Sequence, residues 1–157
     1  MKYPNASSKA YLSEENYLLW FNNLIRLNNR RVKRCHNVYD LSDPAGYCIL
    51  FEKLFPGSTK ISELTFNSKS RNEWRKNWRI FKKGALKVGL KFEISTRKLL
   101  TESYTDNFHI LRWFYEFYHL NATPNLRRES RAAFLNSSSS SSRISKDSSE
   151  CSRSSKH

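Results

Sequence analysis

Three cysteines (Cys35, Cys48, Cys151) and four histidines (His36, His109, His119, His157) are the residues from which a nucleophilic or metal centre would be built. The cysteines are odd in number with no C-x-x-C spacing, and the histidines stand at no zinc-ligand spacing to them. Cys35 and Cys48 therefore read as buried apolar thiols. Catalysis by other means needs a nucleophile beside a base, paired carboxylates in a cleft or a phosphate-cradling loop. Gly84 and Gly89 are isolated, which excludes the G-x-G-x-x-G and P-loop patterns. His109 and His119 fall on one predicted helix, about 80° away from a shared face at ~100° per residue. The expectation is a chain that is not an enzyme and holds no metal or cofactor.

Charge offers a different chemistry. The 157 residues carry 28 Lys and Arg against 14 Asp and Glu, a formal net charge of +14, which favours a polyanionic partner. The densest stretch is 69–91, where Lys69, Arg71, Arg75, Lys76, Arg79, Lys82, Lys83, Lys87 and Lys91 face a single acid, Glu73. Like charges crowded on one element repel, a cost that a binding surface for polyanions explains.

Those residues need a helix to align them. On a helix from about Ser70 to Val88, Trp74, Trp78, Phe81, Ala85 and Val88 fall within roughly 40° of one line, and the cations occupy the adjacent arc. One side is core, with Trp74 and Trp78 in its stripe, and the other is a cationic ridge. The remaining apolar pattern is also helical, without strand-type alternation. Ser13 is an N-cap before Glu14 and Glu15, opening a helix that Asn28-Asn29 ends. His36 to Asp43 reads as a polar connection. Tyr47 to Phe55 is a near-continuous apolar run, a buried helix stopped by Pro56-Gly57. A connection through Phe92, Ile94 and Leu99-Leu100 leads to a last helix starting near Asp106.

Beyond Pro124 the composition changes. From Ser137 onward twelve of 21 residues are serine, too little apolar surface to offset the entropy of ordering. The expected organisation is a flexible segment 1–12, a folded domain 13–120 and a basic, Ser-rich disordered tail 121–157. Within the tail, Arg127-Arg128-Glu129-Ser130 fits a basophilic kinase pattern, making Ser130 a candidate phosphorylation site. No apolar run approaches the ~18 residues of a membrane span, and Met1-Lys2-Tyr3-Pro4 opens no signal-peptide pattern, so no membrane association is expected.

The order of segments carries more than their composition. Ser13-Glu14-Glu15-Asn16-Tyr17-Leu18-Leu19-Trp20, Gly46-Tyr47-Cys48, Leu54-Phe55-Pro56-Gly57-Ser58, Phe66-Asn67-Ser68-Lys69, Asn77-Trp78-Arg79-Ile80, Asp106-Asn107-Phe108 and Trp113-Phe114 follow one another over about 13–120. In that order and spacing the chain resembles the calponin-homology domain of the end-binding family of microtubule plus-end tracking proteins. An insertion of about six residues around His36–Asp43 departs from the family spacing.

The resemblance implies an all-α calponin-homology domain that docks on microtubules (tubulin), located in the cytoplasm on the cytoskeleton, at growing ends or the spindle. It implies tubulin contact at Lys69, with Lys91 one place before another basic family position. The family's paired lysines ahead of Phe66 fall on Ser62 and Glu63, and positions that tend to be Lys and Gln read Ser103 and Thr105. Lys60, Arg71 and Arg75 are the cations that would compensate, giving binding along the lattice. The family's coiled coil has no counterpart heptads here, so a monomer is expected. Two alternatives stay open: a nucleic-acid-binding module using the same ridge, which no RNP, zinc-finger or helix-turn-helix signature supports, and a degenerate relative that keeps only the fold.

Overall fold

The computed structural model describes residues 1–4 and 11–135, and among them six α-helices and two short 3-10 turns occur, with no strand. Helix α1 (Glu14–Asn28) starts where Ser13 Oγ accepts the Asn16 N–H at 3.3 Å, with Glu14 and Glu15 in the favoured first turn. Its buried stripe is Tyr17, Leu18, Trp20, Phe21, Leu24 and Ile25. The connection that follows is less polar in its role than in its composition. Residues Val38–Ser42 form a 3-10 turn, capped by Asn37, that sends Val38 and Leu41 fully into the core.

Helix α2 (Ala45–Leu54) is apolar on nearly every side and accordingly sits at the centre, with α1, α3 (Arg71–Lys87) and α5 (Tyr104–Asn121) packed around it. Tyr47 meets Phe114 at 4.9 Å between ring centres and Phe51 stacks on Phe117 at 6.1 Å. Gly46 has to be glycine: a Cβ there would lie 2.5 Å from Phe21 Cζ. After Phe55 the chain turns through Gly57, whose φ of +86° suits the residue. Glu52 fastens this turn by accepting the Gly57 and Thr59 N–H groups and the Thr59 and Ser58 hydroxyls. Burial pushes its carboxyl up, but those hydrogen bonds together outweigh burial and hold it below the usual carboxylate range.

The short helix α4 (Thr96–Leu100) supplies Leu99 and Leu100 to the core from a stretch that reads as plain connection. Helix α5 begins two residues before Asp106. Ser103 is the cap, its hydroxyl accepting the Asp106 N–H at 3.4 Å, and Asp106 sits in the first turn where the helix dipole favours it.

The larger correction lies after α5. The folded part does not stop at 120, because residues 124–135 form a further helix, α6, that buries Leu126, Ser130 and Ala133. Thr123 caps it by accepting the Leu126 N–H at 3.3 Å, and Pro124 occupies the first turn, where its missing N–H costs nothing. The expected disorder of 121–157 thus gives way over 121–135, and its remainder lies outside the described residues. At the other terminus, Lys2 exchanges hydrogen bonds of 2.8 and 2.9 Å with the Asn121 side chain. Positions 5–10 of the expected flexible segment lie outside the described residues.

Candidate functional site

The ridge read from the sequence is present on α3. A capping box starts the helix: Ser70 Oγ accepts the Glu73 N–H, and the Glu73 carboxylate accepts the N–H groups of Lys69 and Ser70 at 2.7 and 3.2 Å. Those backbone hydrogen bonds, Lys69 first, hold the Glu73 carboxyl below its ordinary range. The single acid of the stretch is therefore spent on the helix end. It forms no ion pair with the ridge.

Trp78, Phe81 and Ala85 anchor the opposite face, with Trp78 Nε1–H donating to Ser42 O at 2.9 Å. Asn77, fully buried, fixes the preceding loop. It donates to Thr65 O and Asp43 Oδ1, each at 3.0 Å, and accepts from Thr65 N–H at 3.0 Å. Asp43 Oδ2 then accepts the Ser68 hydroxyl at 2.6 Å. Gly84 lets the helix lie close on the Gly57–Thr59 turn: a Cβ would come within 2.5 Å of Thr59 Cγ2 and 2.9 Å of Ser58 O. Trp74 differs from its reading as core. It is only half-buried and packs at the edge.

The sequence-derived cations do not form one cluster. Lys69, Arg71 and Arg75 stand exposed around the N-terminal end of α3. Lys91 is exposed beyond its C-terminal end, so roughly 25 Å of helix separates the two groups at 1.5 Å per residue. Lys60 joins neither. It lines a shallow depression of about 20 Å³ with Ile80, Lys83 and Lys87, and its Nζ lies 3.3 Å from Glu63 Oε1. An exposed pair of that kind contributes about 0–1 kcal/mol. Lys83 and Lys87 are thus the companions of Lys60, a grouping their i, i+4 spacing allowed but only the approach of the 58–63 turn creates. Among the described residues, none of the α3 cations has an ion-pair partner.

The residues with catalytic or ligating potential are placed otherwise. Cys35 and Cys48 are buried. Burial, then Asp40 and Asp43, push the Cys35 thiol up to about 12, and burial raises Cys48 well above its ordinary value, which leaves both as thiols rather than nucleophiles. No group of three or more His, Cys, Asp or Glu among the described residues could hold a metal ion, and no described helix is long and apolar enough to cross a membrane.

Ser130 also requires correction as a phosphorylation site. It is fully buried and its Oγ lies 2.7 Å from both Trp20 Nε1 and His119 Nε2, while His119 Nδ1 lies 2.7 Å from Tyr115 O. The carbonyl can only accept, so Nδ1 carries the proton, Nε2 accepts from the Ser130 hydroxyl, and that hydroxyl accepts from Trp20. Burial holds His119 below its ordinary pKa, in keeping with a neutral ring. A kinase finds no free hydroxyl there.

Residues 12–123 match the family model described as the calponin homology (CH) domain. The fold is similar to a solved structure from work on the structural basis of microtubule plus-end tracking by XMAP215, CLIP-170 and EB1, with a TM-score of 0.61 and 21% sequence identity. The match covers 75% of this chain and 99% of that one.

Proposed function

The chain belongs to the calponin-homology family, and on that premise we propose that it is a non-enzymatic binding module that docks the cationic face of α3 on the microtubule surface. The observation that carries this reading is the set of exposed cations without ion pairs, Lys69, Arg71, Arg75, Lys76, Arg79, Lys83 and Lys87, on and just before a helix whose one acid is engaged in capping. Cations kept apart from internal partners cost repulsion, and an acidic surface such as that of tubulin offsets it. The similarity of fold to a structure from work on plus-end tracking supports the same partner.

Lys69, Arg71 and Arg75 form one contact group, Lys60 with Lys83 and Lys87 a second, and Lys91 a third. Glu63 draws on Lys60, and Ser62, Ser103 and Thr105 add no charge, so the attraction is generic to the lattice rather than tuned to growing ends. The module acts as a monomer on the cytoskeleton. Imaging the labelled protein on dynamic microtubules tests this. Uniform decoration that fades as salt rises is the expected result, and comets at growing ends would replace lattice binding with tip tracking. A diffuse signal at low salt, or tighter salt-sensitive binding to RNA than to microtubules, would overturn the reading.

A further inference from the structure

A second cationic region lies away from the ridge of α3. Residues 26–34 contain Arg26, Arg30, Arg31, Lys33 and Arg34 and no acid. All five are exposed and none has an ion-pair partner among the described residues. They are not splayed at random. Arg31 turns to one side, its guanidinium 4.1 Å from the centre of the Phe66 ring. The other four rim a groove of about 390 Å³ between the end of α1 and the following loop, over a floor of Phe21, Ile25 and Val32. Asn22 fastens the loop to the helix in both directions, donating to Cys35 O at 2.7 Å and accepting the Cys35 N–H at 2.8 Å. Val38 and Leu41, buried just beyond, hold its far end. The groove is therefore built into the fold.

We propose that this groove docks an acidic polypeptide segment carrying one aliphatic anchor residue. Four cations without an ion pair among the described residues select a polyanion, and the apolar lining of Phe21, Ile25 and Val32 selects an apolar side chain between the charges. Nucleic acid fits less well. Base stacking needs an open aromatic face, and Phe21, the aromatic ring of the floor, is only 2% exposed. The docked segment gains its apolar contact at the centre and its charge pairs at the rim, the arrangement typical of a protein interface.

The test uses the full chain and a labelled, short Glu/Asp-rich peptide with a single central Leu, followed by fluorescence anisotropy. Binding is expected to weaken about tenfold in the R30E/R34E variant, or when the peptide Leu is replaced by Ala. It should stay within about twofold in R75E/R79E, which alters only α3. Equal losses in the two protein variants would show generic charge attraction and overturn the proposal. Indifference to the peptide Leu, or complete displacement of the peptide by single-stranded RNA at low concentration, would overturn it too. Failure of microtubule binding leaves this experiment intact, since it scores a different surface with a different probe.

Discussion

Helices α3 and α6 are both basic and amphipathic, yet they differ in what their remaining polar groups do. On α3 the cations face outward without partners, and the one acid closes the helix end. On α6 Arg127, Arg128 and Arg131 are also exposed, but its other polar groups tie the helix to the fold. Ser130 joins Trp20 of α1 to His119 of α5, Asn23 of α1 donates to Ala133 O at 2.7 Å, and Lys53 of α2 lies 3.7 Å from Glu129. A segment tied to three other helices through its side chains and backbone serves the fold. A segment whose charges are left over is available to something else. The contrast accords with the proposal that α3 is the docking face, while α6 braces the fold.

Breaking that contrast from the α6 side should produce the largest effects. Trp20→Ala removes a fully buried ring as well as the donor to Ser130, and should cost about 3–5 kcal/mol in chemical denaturation. It should also make α6 the first site of proteolysis, and cleavage elsewhere first would mean that α6 is not held through Trp20. Ser130→Ala leaves the Trp20 N–H without an acceptor and should cost about 1–3 kcal/mol. Microtubule affinity should stay unchanged in the same variant, and a parallel loss would merge the two regions.

A smaller effect follows from pH. His119 is held below its ordinary pKa of 6.5, by burial first and then by the nearby Arg127, so the unfolded chain takes up the proton before the folded one. Stability is full above about pH 6.5 and declines as pH falls through that value toward the lowered native one. Thermal melts across that window should show the slope, reduced in His119→Gln. The smallest effect belongs to α3: Arg79→Ala, at an exposed position without an ion pair, should change stability by less than about 0.5 kcal/mol while weakening microtubule binding.

How legible each region was follows from the same physics. α1, α2 and α3 announce themselves through local signals, the Ser13 cap, the Pro56-Gly57 stop and the Trp78, Phe81, Ala85 spacing, because those signals act within a few residues. The resemblance over 13–120 carried the calponin-homology assignment that the family match bears out. α6 escaped because its buried face is small: Leu126, Ser130 and Ala133 sit among three arginines, and a serine there reads as surface. Only a tryptophan 110 residues earlier turns Ser130 into a core residue. Pro124 reads as a break when it is a helix start. The 26–34 groove was hidden for a similar reason, since its floor comes from α1 residues already counted as core, and its rim from a loop whose shape depends on Asn22.

The central claim, that the unpaired cations of α3 grip the microtubule, is tested most directly by co-sedimentation of the full chain and its R71E/R75E/R79E variant across a salt series. The parent chain is expected to pellet at low salt with an affinity that falls as salt rises, and the variant to bind at least about tenfold more weakly while its thermal stability is preserved. Equal pelleting of the two proteins at low salt, or no pelleting of either, would contradict it.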